Sequence, residues 1–150
     1  MKLAEALQER ADLNRRLEQL RGRLNRNATA QEGEDPAEDP AQLLSEADGC
    51  AARLEELMAR INLTNSTVRV GEETLTQLIA RRDALMLRIS LYRDLLDSAS
   101  DLTARVSRRE IKIYSTVDVR ALQKQVDDMS RDLRVTDNAL QQANWSVELL

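Results

Sequence analysis

Residues 119–143 read VRALQKQVDDMSRDLRVTDNALQQA, and the fold is decided there. Val119, Leu122, Val126, Met129, Leu133, Thr136, Leu140 and Ala143 recur at alternating steps of three and four, with Arg, Asp and Gln filling the positions between. Such steps keep side chains on one face of a helix, whereas a strand alternates every second residue. The segment therefore reads as one long amphipathic helix, with Ser115 and Asp118 placed for a capping box in front of it.

Three earlier stretches carry a similar rhythm. Over about residues 2–27 it is kept by Leu3, Ala6, Leu13, Leu17, Leu20 and Leu24, interrupted at Arg10. Over about 40–65 it is kept by Leu44, Ala47, Ala51, Leu54, Leu57, Met58 and Ile61. Asp39 can cap this helix, Pro40 suits its first position and Gln42 stands three residues after the cap. The third stretch begins near Thr74 or Thr76 and runs through Leu78, Leu85, Ile89, Tyr92 and Leu96, with Met86 widening the face. Residues 99–109 read as either helix or loop, because Ala99, Leu102 and Val106 continue the rhythm across Ser98, Ser100 and Asp101.

Helices of about 25 residues are roughly 37 Å long. Each carries one apolar stripe flanked by charge, so none is stable alone and each must bury its stripe against another. The fold class is mainly α, with four long amphipathic helices in one domain spanning residues 1–150. They form either an antiparallel bundle or paired helical hairpins whose cores are completed in a dimer. Two short β segments interrupt this pattern, near 67–70 (Thr67-Val68-Arg69-Val70) and 110–115 (Glu110 to Ser115). Both are β-branched and alternate apolar with polar residues. They can pair if residues 99–109 carry the chain back; the favoured alternative is strand addition between subunits.

The composition agrees and excludes most chemistry. Hydrophobic residues make up 42% and aromatics 2% of the 150 residues, with no His, no Phe and one Cys. A chain without His has no Ser-His-Asp or Cys-His nucleophile pair and no Glu-x-x-His metal motif. The glycines at 22, 33, 49 and 71 are isolated, so no phosphate-cradling loop is present. Carboxylate pairs such as Asp127-Asp128 and Glu55-Glu56 read as solubilising surface. The chain is read as a non-enzyme without cofactor or metal.

The net charge of −4 gives no general attraction to nucleic acid or anionic lipid. Only Lys2, Lys112 and Lys124 of the 22 basic residues are lysines. This bias reads first as genome composition, with bidentate Arg pairing across helix interfaces as the alternative. The start lacks the apolar core of a secretory signal, and no apolar run approaches the ~20 residues that span a bilayer. A cytoplasmic location, no membrane and no nucleic acid are the expectations.

Two charged segments are the candidate binding sites. The loop 28–39 carries Glu32, Glu34, Asp35, Glu38 and Asp39 with no base, as a hard-cation site would, although its spacing fits no EF-hand and a solvated linker has the same composition. Arg105, Arg108, Arg109 and Lys112 form a basic patch for phosphate, an anionic headgroup or the acidic loop of a neighbouring subunit. Cys50, beside Gly49 and Ala51, reads as a packed thiol, and Trp145 as the residue that pins the C-terminal tail onto the bundle or a partner.

Met1 to Leu7, Gln31 to Pro36 with Glu38-Asp39-Pro40, Ser107 to Lys112, Ser115 to Val119 with Leu122 to Gln125, and Ala143-Asn144-Trp145 together resemble a family of small bacterial helical proteins. That family is called septicolysin or left uncharacterised, and the likeness spans the whole chain. The name implies a secreted pore-forming haemolysin. Three function classes are therefore carried forward. The first is a cytosolic homo-oligomeric structural or interaction protein with a possible protein partner. The second is a small-anion or divalent-cation binding module using the two charged segments. The third is a septicolysin-type cytolysin.

Overall fold

A computed structural model describes residues 1–102 and 111–150. Its elements are α1 (Leu3–Arg26), α2 (Pro40–Thr67), β1 (Arg69–Val70), β2 (Glu73–Thr74), α3 (Leu75–Ser100) and α4 (Val119–Ser146). All four rhythmic stretches are helices, of 24, 28, 26 and 28 residues. Of the undecided residues 99–109, the helix takes those up to Ser100, and 103–109 lie outside the described residues.

The helix starts follow local chemistry. Asp39 accepts a 3.0 Å hydrogen bond from the Ala41 backbone N–H ahead of α2, with Pro40 in the first turn. Thr74 and Gln77 form a reciprocal capping box at α3: the Gln77 N–H donates to Thr74 Oγ1 at 3.2 Å, and the Thr74 N–H donates to Gln77 Oε1 at 2.8 Å. The Ser115/Asp118 box is not formed. Asp118 itself immediately precedes α4 and accepts from the Ala121 N–H at 3.0 Å, while the Ser115 hydroxyl turns to the Val117 carbonyl, also at 3.0 Å.

The chain divides into two compact units, Met1–Val68 with Ala143–Leu150, and Arg69–Gln142. In the first, α1 and α2 form an antiparallel hairpin. Three ion pairs mark its direction, Glu9 with Arg53 and Arg16 with Glu46 on α2, and Arg23 with Glu38 just before α2, so that partner numbers descend as α1 ascends. Leu3, Ala6 and Leu20 are buried on α1, and Leu43, Leu57, Ile61 and Thr64 on α2. The expected stripe residue Leu44 is exposed, and its neighbour Leu43 takes the seam position.

The C-terminal tail is tied into this unit by its backbone. The Leu3 N–H donates to the Val147 carbonyl and the Leu149 N–H to the Met1 carbonyl, both at 2.9 Å. Arg60 Nε donates to the Leu150 backbone oxygen at 2.8 Å, and the Leu150 N–H donates to Thr64 Oγ1 at 3.0 Å. Leu149 is the buried anchor. Trp145 is exposed, so it does not pin the tail onto the chain's own helices.

In the second unit, Leu85, Ile89 and Leu96 of α3 form a core with Val126 and Met129 of α4, and Tyr92, Val119, Leu122 and Leu133 close around it. The hairpin β1–β2 precedes α3, pairing Arg69 with Thr74 and Val70 with Glu73. Gly71 has φ 64° at the first position of the two-residue loop, where a side chain is disfavoured and twist-matched hairpins place glycine. The first expected β segment is thus present at Arg69–Val70, while its expected pairing and the second segment are corrected. The first segment pairs with the residues just after it rather than with 110–115, and Thr67 ends α2. Residues 111–115 form no strand, and Glu110 lies outside the described residues.

Candidate functional site

Helix α3 is apolar on two faces. Leu78, Leu85, Ile89 and Leu96 are buried, as the sequence rhythm predicts. Leu87 and Leu91 are 72% and 68% exposed, and Leu95 is 43% exposed. With the exposed Ala80 and Ala84 they step by four, three, four and four, which is the spacing of a second stripe. Two residues of helix advance about 200°, so Leu87 faces away from Leu85. Met86, expected to widen the buried face, is also exposed. Charges of both signs border the stripe: Arg81, Asp83, Arg88 and Asp94.

The acidic loop divides into used and unused carboxylates. Glu38 takes a bidentate grip from Arg23, whose Nε lies 3.2 and 3.0 Å from its two oxygens. That hydrogen bonding holds the Glu38 carboxyl below its ordinary range and raises the Arg23 guanidinium. The Glu38 N–H donates to Asn27 Oδ1 at 3.0 Å, while Asn27 Nδ2 donates to the Arg23 carbonyl at 2.8 Å. Asn27 is buried, so the loop's return is tied to the end of α1. Asp39 is the α2 cap described above. Glu32, Glu34 and Asp35 are exposed, and Gly33 turns the chain between them with φ 85°. Among the described residues no group of three or more Cys, Asp or Glu is placed to hold a metal ion.

Of the basic patch, Arg105, Arg108 and Arg109 lie outside the described residues, and Lys112 is exposed. Beside it Ile111 and Tyr114 are exposed too. Cys50 is half-buried on the α2 seam between Ala47 and Leu54.

The remaining electrostatics concern the first unit. Arg53 bridges Glu9 and Glu56: its Nε donates to Glu9 Oε1 at 2.7 Å and its Nη1 to Glu56 Oε2 at 2.8 Å. Hydrogen bonding to Arg53 holds both carboxyls below their ordinary range. Lys2 Nζ at 2.6 Å and the N-terminal ammonium at 3.1 Å do the same for Glu148. These pairs fasten helices and termini together.

The sequence reading missed the outer face of α3. A signal was present in the spacing of Ala80, Ala84, Leu87, Leu91 and Leu95, but a search for one stripe per helix absorbs α3 once Leu78 to Leu96 are assigned.

No curated protein matches the chain. A crystal structure of a functionally unknown conserved protein from Corynebacterium diphtheriae is similar to it, with 38% identity over 100% of this chain and 99% of that chain and a TM-score of 0.92. The likeness carries the four-helix fold across the full length, and it carries no cytolysin name. Residues 10–149 match the family of unknown function DUF6847, and the chain belongs to that family.

Proposed function

We propose that this protein is a cytosolic homo-oligomeric structural and interaction protein, working by surface recognition rather than by chemistry. The observation that carries the reading is the outer stripe of α3, where Leu87 and Leu91 keep 72% and 68% of their surface in water. Single exposed leucines are ordinary, but aligned ones on one helix face make a contiguous apolar strip of the kind that marks an interface. The bordering Arg81, Asp83, Arg88 and Asp94 are mixed in sign and suit a protein surface. A helix lying on a membrane carries a polar face dominated by Lys and Arg. The septicolysin-type reading is therefore not favoured, and among the described residues no helix is long and apolar enough to cross a membrane.

The test is sedimentation velocity over a wide concentration series. The reading expects one species at a fixed multiple of 17.0 kDa. A strict monomer at high concentration would refute it.

A further inference from the structure

A groove of about 500 Å³ runs between α3 and α4 within the second unit. Arg81 and Arg88 from α3 and Arg131 from α4 line it, with Leu85, Val135 and Thr136 among its other walls. Three features together set it apart from ordinary helix surface.

Its charge is unbalanced. Among the described residues Asp132 is the one acid in the lining, against three guanidinium groups. Arg81 is paired with Glu73, but Arg131 reaches Asp128 only at 3.8 Å. Arg88 has no ion-pair partner among the described residues. Thr136 is the second feature. It occupies a seam position of α4 that Val126, Met129 and Leu140 fill elsewhere, and it is 5% exposed. Its hydroxyl has no hydrogen-bond partner among the described residues, and no deeply buried side-chain oxygen there is left unpaired, so the hydroxyl opens onto the groove it lines. The third feature is extent. Arg88 and Asp132 also line the adjoining groove with Tyr92, Gln125, Asp128 and Met129, so the depression continues along the helix pair, with a second acid at its far part.

We propose that this groove binds a small organic anion, a carboxylate or phosphate monoester carried on an apolar body. Arg88 and Arg131 supply planar forks for the oxyanion, and Thr136 adds a neutral donor. Leu85 and Val135 receive the apolar part. A bare inorganic ion would leave those walls in water, and the volume lies in the range of organic ligand pockets. The lining residues named here belong to neither of the charged segments 28–39 and 105–112.

The test is a thermal-shift titration of the full chain with hexanoate, hexyl phosphate and inorganic phosphate at matched ionic strength. Saturable stabilisation by one of the two organic anions, well above that from inorganic phosphate, is expected; the stronger of them identifies the headgroup. Arg88→Gln and Thr136→Val should each weaken it about tenfold, the scale of one lost hydrogen bond to a charged group. Lys124→Gln, outside the lining, should leave it unchanged. Circular dichroism establishes that each variant is folded, and Arg88→Gln alters an exposed side chain whose loss leaves the core intact. No saturable response to either organic anion at millimolar concentration would overturn the proposal. So would an equal response to inorganic phosphate, or binding that survives both substitutions.

Discussion

Leu85 and Leu87 stand two residues apart on α3, one 7% exposed and the other 72%, and their substitutions should have opposite consequences. Full burial of a leucine contributes about 1.5–3 kcal/mol, so covering the exposed part of Leu87 or Leu91 contributes roughly 1–2 kcal/mol per side chain. In a two-fold interface each counts twice, giving about 4–8 kcal/mol from four side chains before ordering costs are subtracted. Replacing both by Gln, whose helix propensity is close to that of Leu, should therefore weaken self-association about a thousandfold or more. The folded chain itself should barely notice, because these side chains already meet water; changes within about 0.5 kcal/mol are expected.

Leu85→Ala inverts the pattern. Its side chain is in the α3–α4 core, and its loss should cost about 2–5 kcal/mol of folding stability. Sedimentation equilibrium and denaturant unfolding on the two variants separate the effects. If Leu87→Gln with Leu91→Gln unfolds the chain, or leaves association untouched, the outer stripe is not an interface and the argument from exposure fails.

Other consequences are equally direct. The carboxyls of Glu9, Glu38, Glu56 and Glu148 titrate below their ordinary 4.5 in the folded chain. As pH falls the unfolded chain binds protons first. Their stabilisation is thus complete above about 4.5 and is lost as pH drops through the lowered folded values. Unfolding midpoints measured from neutrality to about pH 3 should fall steeply in that acid window, and Glu9→Gln with Glu38→Gln should flatten the decline. Gly71→Ala places a side chain at φ 64°; chemical denaturation should show a loss of about 1–2 kcal/mol. Glu9→Arg and Arg53→Glu should each lower the unfolding midpoint, and the double exchange should recover only the Glu9 share of the loss, because Arg53→Glu also sets like charge beside Glu56; a double-mutant cycle reads the coupling directly.

How much of this was legible depends on whether the signal was local. Asp39-Pro40 marks the start of α2 because the cap and the fixed proline φ act within a few residues. The rhythm from Val119 to Ala143 marks α4 because only one phase fits it. Leu43 and Leu44 are harder: adjacent residues differ by about 100° around a helix, and choosing between them takes the partner helix. The continuous series Leu43, Ala47, Cys50, Leu54, Leu57, Ile61 and Thr64 emerges once α1 is in place, and Thr64 then uses its hydroxyl to hold the Leu150 backbone. Burial of Trp145 was inferred from residue type, yet the backbone bonds of residues 147–150 fasten the tail without it.

The arginine bias shows the same division. Composition alone leaves its cause open, whereas the pairs that α1 makes with α2 and with Glu38 just before it give a physical reason for part of it. Glu9, Arg16 and Arg23 lie seven residues apart, two helical turns, and meet Arg53, Glu46 and Glu38 in descending order. Arg53 binds both Glu9 oxygens, at 2.7 and 3.1 Å, which a guanidinium fork can do and a lysine ammonium, a point charge, reproduces poorly. Pairs this exposed contribute little stability individually. A slip of α1 by one heptad in either direction, however, loses the Glu9–Arg53 pair and sets Glu9 beside Glu46 or Arg16 beside Arg53, like against like, while one attractive pair remains. The arginines, together with Glu9, thus weigh against these two slips in a hairpin whose seam is built largely of Leu and Ala.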